Sequence, residues 1–363
     1  MTDLRRFAVN ARFLTRPASG VDRVAIELIR ALAGRSDVAG LALLHPARGA
    51  LHLGWLDTLA PAVRDKIVLH PLGQRRGHLW EQIDLPRALP DLTLLSLCST
   101  GPVLRRNQAV MIHDAQVWDA PQSYSVAFRM AYRLLLPMVA RTARHVLTVS
   151  QFSARRLEAR GIAPRDQPKV VLNGADHILR ISPDKDVLSR HGLARGDYLL
   201  AIGNLAPHKN LAMLVAAAAD RPAGAPDLIV AGGMNGKVFA DAGLKAARGV
   251  RFIGRVSDAE LRALYDGAIA LAFPSLTEGF GLPPVEAMLC GCPVVATSGG
   301  AVPEICGDAA LLVAPQDRPA WTAALNRIVA EPDLRRRLNT QGHRQAAQYT
   351  WAKAADAVMQ IVR

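Results

Sequence analysis

Short apolar runs alternate along this chain with longer stretches in which apolar residues recur every three or four positions. The runs have the length of buried strands, and the periodic stretches have the length of amphipathic helices. Such alternation predicts an α/β fold with mainly parallel sheets. The runs that predict strands are residues 6–10, 109–112, 146–149, 198–202, 228–231, 250–253 and 268–273.

One predicted helix, residues 128–144, carries regularly spaced arginines. Arg129, Arg133 and Arg141 are separated by multiples of four residues, so they share one side of the helix. This basic side is either solvated or in contact with an anionic membrane or acceptor, and the sequence leaves both open. The opposite side carries the apolar residues Leu134, Leu135, Met138 and Val139.

The segment 278–286 carries two carboxylates, Glu278 and Glu286, on either side of a glycine turn. Gly279 and Gly281 let the backbone adopt positive φ and approach a ligand closely. The turn leads into a predicted helix that begins with two prolines. Free N–H groups at a helix start attract phosphate, whereas the flanking carboxylates suit hydroxyl groups. The combination predicts a ligand with phosphate between two polyols, such as a nucleotide-sugar.

Other strand ends in the second half repeat this arrangement. Lys209 follows the strand 198–202, where its ammonium group could neutralise a diphosphate. Gly232 and Gly254 follow the next two strands. Because the carboxyl ends of parallel strands meet at one edge of a sheet, these residues predict a ligand-binding edge.

The first half offers two weaker candidates. Gly20 lies just before a predicted helix over residues 23–32 and could bring backbone N–H groups to a ligand. His113, with Asp114, follows the strand 109–112 and could donate a hydrogen bond or carry a proton. A purely structural role in a turn stays open for both positions.

The length of 363 residues fits two domains, and a polar, proline-containing stretch predicts a linker near residues 175–190. No apolar run is long enough to span a bilayer, and the start lacks a signal-peptide core, so we expect a cytoplasmic protein. The four cysteines predict reduced thiols, because their number and spacing suit neither a disulfide framework nor a zinc site.

The net charge of +13 is concentrated in the first half of the chain. Residues 1–185 contain 26 Lys or Arg and 15 Asp or Glu, a balance of +11, against +2 for residues 186–363. The basic half predicts an anionic membrane surface or a phosphorylated acceptor as a partner, and a generically arginine-rich, solvated surface remains the alternative. Nucleic acid is not expected, because aromatic residues are few and no recognition motif is present.

Together these motifs resemble those of retaining glycosyltransferases of family 4, which have the GT-B fold. The resemblance extends over essentially the whole chain, and Glu278 and Glu286, with seven residues between them, are its most specific element. The other matching motifs are Ser19-Gly20-Val21, His113-Asp114, residues 149–153, Asn173-Gly174, residues 203–210 and Tyr349-Thr350-Trp351.

The resemblance implies two Rossmann-like, doubly wound α/β domains that face each other across a cleft. A basic, acceptor-side domain would cover residues 1–180, and a nucleotide-sugar-binding domain would cover residues 181–345. A final helix over residues 346–363 would cross back to the first domain.

The resemblance also implies roles for single residues. Glu286 would bind the ribose hydroxyls, Glu278 the transferred sugar and Lys209 the diphosphate. Gly20 would approach the diphosphate from the first domain, and His113 would contact the sugar near its anomeric centre. His113, Glu278 and Lys209 are therefore the candidate catalytic residues. The further candidates for donor binding are Asn204, Gly254, Gly279, Phe280, Gly281 and Leu282.

The chain departs from the family pattern at two positions. Some members carry arginine where this chain has Asn204 and His208. Neutralisation of the diphosphate would then rest on Lys209 and a further cation that the sequence does not identify; an arginine of the basic domain is one candidate.

These features predict a retaining transferase that moves a hexose to a glycolipid or polysaccharide acceptor, peripherally at the inner membrane face. Mannose from GDP-mannose is the first choice by similarity. No Asp-x-Asp motif follows a predicted strand, so transfer without metal or another cofactor is expected. A UDP-hexose donor, a nucleotide-sugar 2-epimerase and a non-catalytic adaptor for membrane or nucleic acid remain alternatives.

Overall fold

A computed structural model of the chain describes residues 4–233 and 247–362. The chain divides into two compact units. The divisions lie after Gly174 and Thr350, beside the sequence-based divisions after residues 180 and 345. Residues 1–3 and 363, which belong to the first and last predicted segments, lie outside the described residues. The first unit comprises Met1–Trp118, Tyr124–Gly174 and Trp351–Arg363, and the second comprises Asp119–Ser123 and Ala175–Thr350.

The first unit is built on a seven-stranded sheet with the order β3-β2-β1-β4-β5-β6-β7. All of its pairings are parallel. The order reverses between β1 and β4, which is where doubly wound sheets open a crevice at their carboxyl ends. The strands are β1 Arg5–Asn10, β2 Val38–Pro46, β3 Ile67–Leu72, β4 Thr93–Ser96, β5 Gln108–Met111, β6 His145–Thr148 and β7 Pro168–Val170.

Helices cover this sheet as the apolar periodicity predicts. Ser150 caps the helix Gln151–Ala159 by accepting a hydrogen bond from the amide of Ser153 at 3.0 Å, so the predicted N-cap is confirmed. The remaining α-helices are Gly20–Ala33, Pro61–Arg64, Gly77–Leu79, Val126–Thr142 and Trp351–Ile361, with Gln116–Asp119 ending at the division. Shorter turns are Arg12–Thr15, Gly54–Thr58, Leu85–Arg87 and the π-helical turn Trp80–Asp84.

The helix Val126–Thr142 buries only part of its apolar side. Of its predicted apolar side, Leu134 and Met138 are exposed. The buried positions include Leu136 and Val139, because these lie on the stripe that packs against the strands. The helix therefore presents a second, exposed apolar face.

The second unit is built on a six-stranded sheet with the order β10-β9-β8-β11-β12-β13, again with parallel pairings throughout. Here the order reverses between β8 and β11. The apolar run 198–202 predicted β8 to the residue. The strands are β8 Tyr198–Ile202, β9 Asp227–Ala231, β10 Val250–Gly254, β11 Ala270–Phe273, β12 Val294–Thr297 and β13 Leu311–Val313.

The segment predicted as a linker belongs to the body of the second unit. His177 and Ile178 are buried in the turn Asp176–Arg180, because they pack beside the helix Leu282–Leu289. The other helices are Asp186–Arg190, Leu211–Ala219, Asp258–Gly267, Val302–Cys306, Arg318–Ala330 and Pro332–Ala346, and the other turns are Pro121–Ser123, Pro207–Lys209 and Gly307–Ala309.

Candidate active site

Lys209 and Glu278 meet where the strand order of the second sheet reverses. Lys209 ends the turn that follows β8, and Glu278 lies in the loop that follows β11. Nζ of Lys209 lies 2.8 Å from Oε1 of Glu278. Their side chains keep 24% and 11% of their surface exposed, so the pair is open to a ligand. Two predicted site residues are thus brought together at the expected edge of the sheet.

The loop that carries Lys209 is anchored by the next residue, Asn210. Asn210 has a φ of +55°, in the left-handed region that asparagine tolerates better than most residues. Its side-chain amide donates to the carbonyls of Pro274 and Pro315 at 3.1 and 2.6 Å. The amide of Leu276 donates to the carbonyl of His208 at 2.7 Å. These bonds fix the Lys209 loop against the Glu278 loop.

Two glycines after β12 let the Glu278 loop lie close to the sheet. Gly300 has a φ of +67°, and a Cβ atom there would lie 2.4 Å from the backbone nitrogen of Glu278. A Cβ atom at Gly299 would lie 2.5 Å from the carbonyl oxygen of Leu276. The amide of Ala301 donates to the carbonyl of Glu278 at 3.0 Å. Neither glycine can be replaced without moving the backbone that carries the carboxylate.

Gly281 begins the helix Leu282–Leu289 with a φ of +90°, as a glycine turn before a helix requires. Gly279 and Phe280 lie in the loop before it. Pro283 and Pro284 have no N–H, so the donors left at this helix start are the amides of Leu282 and of the residues before it. The predicted anion-binding groups are therefore the amides of Leu282 and of the glycine turn before it.

The side chain of Phe280 has a separate, structural contact. It is buried, and its ring packs edge-on against Tyr349 with the centroids 5.5 Å apart. Only the backbone of Phe280 is therefore available for the donor-binding role that the sequence predicts.

Glu286 is held by two residues that the sequence did not point to. The hydroxyl of Tyr265 donates to Oε2 of Glu286 at 3.1 Å, and Nε2 of His177 lies 3.1 Å from Oε1. Burial and the neighbouring charge of Glu286 raise the pKa of Tyr265 well above its ordinary value, so the phenol stays protonated as the donor. Each carboxylate oxygen keeps further acceptor capacity for hydroxyl groups.

His208 lies beside Lys209 but does not supply the further cation. Burial, together with the charge of Lys209, lowers the pKa of His208 below its ordinary value. Its Nδ1 lies 3.0 Å from the hydroxyl oxygen of Ser123. The imidazole is therefore uncharged at neutral pH, and it does not replace the arginine that some family members carry.

Asn204 and Gly254 lie at the ends of β8 and β10. Asn204 is exposed, and its Oδ1 accepts a hydrogen bond from the amide of Ala206 at 3.0 Å, which closes a turn. Gly254 has a φ of +75° with no atom within 4 Å of a Cβ position, so it is required for its backbone conformation. Their donor-binding roles stay predictions.

His113 belongs to the first unit and is 5% exposed. Its Nε2 lies 2.8 Å from the carbonyl of Leu97, and a carbonyl only accepts, so Nε2 carries the proton. Burial lowers the pKa of His113 below its ordinary value. The neutral ring therefore offers Nδ1 as an acceptor, which favours a hydrogen bond from a sugar hydroxyl over proton donation.

Gly20 is the first residue of the helix Gly20–Ala33, and a Cβ atom there would meet no atom within 4 Å. The helix start is fixed by Asp22, whose Oδ2 accepts from the amide and the hydroxyl of Ser19 at 2.9 and 2.7 Å. Arg16 donates to the same carboxylate at 2.8 Å. The predicted role of Gly20 in donor binding stays a prediction.

Comparison with known proteins decides the family. Residues 190–345, which contain the Lys209–Glu278 pair, match the family described as Glycosyl transferases group 1. The chain is 30% identical over 245 residues to the O-antigen chain mannosyltransferase RfbU of Salmonella typhimurium, covering 66% of this chain and 65% of that protein. It is 28% identical over 368 residues to the O-antigen chain mannosyltransferase B of Escherichia coli, covering 92% of this chain and 93% of that protein.

The fold is also found in a solved structure. The crystal structure of Anabaena HepE in complex with UDP-glucose superimposes with a TM-score of 0.73 at 18% identity, covering 99% of this chain and 98% of that one. The chain is a glycosyltransferase of the GT-B fold. The two predicted parallel sheets of this glycosyltransferase are thereby confirmed, whereas the roles of its single residues stay predictions.

Sequence reasoning missed the residues that hold the site's side chains in place. Tyr265 lies on the helix Asp258–Gly267, and no local pattern distinguishes it from a core residue. His177 follows the Asn173-Gly174 motif closely, which was the one available signal. Both reach Glu286 only through the fold.

Within residues 4–233 and 247–362, no group of three or more His, Cys, Asp or Glu side chains could hold a metal ion. No helix in the same ranges combines the length and the apolar character needed to cross a membrane. All four cysteines are free thiols, as their number and spacing predict.

Proposed function

We propose that this glycosyltransferase moves mannose from GDP-mannose to a saccharide acceptor on a glycolipid or polysaccharide, with retention at the anomeric carbon. The observation that carries the proposal is the Lys209–Glu278 pair, 2.8 Å apart at the reversal of the second sheet. Two similar proteins are O-antigen chain mannosyltransferases, which supports mannose as the sugar and an O-antigen-like glycan as the acceptor.

On binding, the donor would separate this ion pair and replace the partner of each of its two side chains. Its diphosphate would take the ammonium group of Lys209, and the sugar hydroxyls would take the carboxylate of Glu278. Glu286, held by Tyr265 and His177, would accept from the ribose hydroxyls. The amides of the turn at Gly281 would add donors for the phosphate charge.

In the proposed reaction the acceptor hydroxyl attacks from the face that the diphosphate leaves. The bond between the anomeric carbon and the phosphate oxygen breaks, the bond to the acceptor oxygen forms, and the hydroxyl proton passes to the departing phosphate. Lys209 stabilises the charge that develops on the leaving group, so no metal ion is required. Full activity in excess EDTA is expected, and isolation of a kinetically competent covalent sugar adduct would contradict this route.

Docking on an anionic membrane surface is part of the proposal. The helix Val126–Thr142 exposes one apolar side chain every four residues. Residues 120–157 contain six arginines and no Asp or Glu. An apolar stripe among arginines suits the interface of a bilayer with anionic headgroups. The stripe consists of Val126, Met130, Leu134 and Met138, with exposed fractions of 65, 67, 67 and 42%.

The donor is tested by thermal shift with GDP-mannose, UDP-glucose and dTDP-glucose. A ligand that binds only the folded state raises the melting temperature. GDP-mannose is expected to give the largest rise, and a larger rise with UDP-glucose would favour the UDP-hexose alternative, for which the HepE likeness is a structural precedent.

The reaction class is tested by following donor turnover with and without acceptor by mass spectrometry. Rapid turnover in acceptor-free buffer would favour a 2-epimerase over a transferase.

The non-catalytic adaptor is tested with Glu278→Ala, which should abolish transfer while vesicle binding persists. A wild-type chain that binds vesicles but never turns over a nucleotide-sugar would favour the adaptor.

A further inference from the structure

A second cluster of polar side chains lies at the reversal of the first sheet. The strand order changes direction between β1 and β4. Asn10 is the last residue of β1, Arg12 follows it, and Thr100 lies in the loop after β4. This edge is where the general rule for parallel α/β sheets places a ligand.

Glu81 lies at the centre of the cluster and is fully buried. Its Oε1 accepts from Asn10 at 2.7 Å, from Thr100 at 3.1 Å and from Nε of Arg12 at 3.3 Å. Its Oε2 lies 3.0 Å from Nδ1 of His78. Burial alone would raise the pKa of Glu81, but the hydrogen bond from His78 and the charge of Arg12 outweigh it and lower the pKa below its ordinary value. The carboxylate is therefore ionised inside the first unit.

Such a cluster adds little to the stability of the fold. The attraction within a buried ion pair offsets the free-energy cost of desolvating the two charges only when nearly all their hydrogen bonds are made. Apolar side chains of similar volume usually stabilise a fold equally well. Glu81 also lies in the π-helical turn Trp80–Asp84, a local geometry that is frequent at functional sites.

Two of the side chains that Glu81 holds, those of Arg12 and His78, reach the surface. The Arg12 side chain is 13% exposed and that of His78 is 41% exposed, whereas that of Glu81 is 1% exposed. Nε2 of His78 lies 3.3 Å from the hydroxyl of Tyr132, whose ring meets the imidazole edge-on. Glu81 thus orients a guanidinium and an imidazole toward the edge of the sheet without being open to a ligand itself.

The two sheets of the molecule carry matching arrangements. In the second sheet, the cation Lys209 follows β8 and its carboxylate partner Glu278 follows β11, the strands on either side of the reversal. In the first sheet, Arg12 follows β1, and its carboxylate partner Glu81 also binds Thr100 after β4. If the second site holds the donor, the first is the equivalent place for the second substrate.

We propose that Arg12 and His78, positioned by Glu81, form the binding site for a saccharide acceptor. Because the charges of Arg12 and Glu81 cancel, the site suits an uncharged ring with several hydroxyl groups better than a phosphate. Arg12 donates to hydroxyl oxygens, and the exposed edge of His78 offers a further polar contact. Glu81 acts as a positioning residue. This assignment rests on the transferase function proposed above.

The experiment uses the full chain with GDP-mannose and a panel of octyl glycosides of mannose, glucose, galactose and N-acetylglucosamine, each substrate being varied while the other is saturating. The variants are His78→Ala and Glu81→Gln, with His70→Ala as the control, because His70 is an exposed histidine on β3 of the same unit. Transfer is measured as separate KM values for acceptor and donor. Glycoside binding is measured in parallel by saturation-transfer NMR in the presence of GDP.

Loss of a hydrogen bond to a charged group should raise the acceptor KM about 10- to 100-fold in His78→Ala and Glu81→Gln. The donor KM should stay within a factor of about two, as should both constants in His70→Ala. The site assignment is overturned if His78→Ala, folded with an unchanged melting temperature, binds and uses the glycosides like the wild type, or if the wild type binds none of them. If glycoside binding depends on His78 but no sugar is transferred, the proposed function is contradicted, whereas the assignment of the binding site is supported.

Discussion

At the scale of single residues, the candidate site of the second unit holds a lysine and a glutamate as an ion pair. Lys209 and Glu278 lie 2.8 Å apart while remaining partly exposed. Even a partly buried ion pair adds little net free energy of unfolding, because the cost of desolvating both charges offsets much of their attraction. The value of such a pair is therefore in holding a cation and a carboxylate at fixed places, and substitution should affect catalysis far more than folding.

Replacement of Lys209 by methionine tests this directly. In the proposed reaction Lys209 stabilises the leaving diphosphate, so loss of its charge should lower kcat about 100- to 1,000-fold. The matched control is Lys185→Met, an exposed lysine of the same unit, which should leave kcat unchanged. Steady-state kinetics with GDP-mannose measures both, and a wild-type kcat in Lys209→Met would remove this residue from the mechanism.

Tyr265→Phe tests the support of Glu286. The change deletes the hydroxyl that donates to Oε2 of Glu286 at 3.1 Å, and the donor KM should rise about 3- to 10-fold. Tyr198→Phe is the control, because it deletes an equally buried hydrogen bond, to the carbonyl of Leu264 at 2.7 Å, that does not involve Glu286. Both variants should lose similar stability by thermal melting; equal donor KM values in the two would contradict the assignment.

At the scale of elements, the site depends on loops that are fixed by backbone contacts between neighbouring strand ends. The Glu278 loop lies against Gly299 and Gly300 after β12, and the Lys209 loop is tied to it through Asn210. Rigid elements place reacting groups with the precision that catalysis needs, and displacements of about 1 Å can cost 100-fold in rate.

Gly300→Ala should therefore reduce activity beyond its effect on stability. Its Cβ atom would lie 2.4 Å from the backbone of Glu278, and we expect kcat/KM to fall at least about tenfold. Gly196→Ala is the control, because Gly196 has a similar φ of +76° with no atom within 4 Å of a Cβ. Each variant carries a strain of about 1 to 2 kcal/mol from its positive φ. Equal activities in the two variants would show that the loop position is unimportant.

The exposed face of the helix Val126–Thr142 predicts a lipid dependence. Leu134→Ser combined with Met138→Ser should weaken co-sedimentation with vesicles of phosphatidylcholine and phosphatidylglycerol about tenfold. The reason is that two apolar side chains that would enter the bilayer interface are lost. Val68→Ser, at an equally apolar exposed position on β3, should have no effect. Binding should fall with salt and vanish on pure phosphatidylcholine; wild-type binding independent of lipid charge would contradict the arginine contribution.

At the scale of the whole molecule, the chain repeats one architecture in two units, and the sequence predicts this level best. Buried strands of a parallel sheet are continuous apolar runs, so β8 could be located to the residue. Strand order and the partners of Glu286 could not be predicted, because they depend on contacts between distant segments. The exposed apolar face of the helix Val126–Thr142 could not be predicted, because periodicity does not say which of two apolar sides meets the sheet.

Stability of the whole chain should depend on pH through two buried histidines, His113 and His208. Burial lowers the pKa of His113 and of His208 below the ordinary value of 6.5, so folding favours their neutral forms. Their contribution is fully present above pH 6.5 and is lost as the pH falls through the folded-state pKa values. His113→Gln should flatten the decline of the melting temperature between about pH 7 and 5, whereas replacement of the exposed His70 should not; an unchanged decline in His113→Gln would contradict this.

The Lys209–Glu278 pair has one further consequence, for the release of product. Lys209 and Glu278 are each other's partners, so an incoming anion must compete with a carboxylate of the protein itself. In the proposed reaction, an intact nucleotide-sugar would compensate both members of the pair, Lys209 with its phosphate and Glu278 with its hydroxyls. A nucleoside diphosphate would compensate only Lys209 and would leave Glu278 beside a second negative group. The pair would thus disfavour the product relative to the substrate, and turnover should be less inhibited by GDP than the charge of the diphosphate alone suggests.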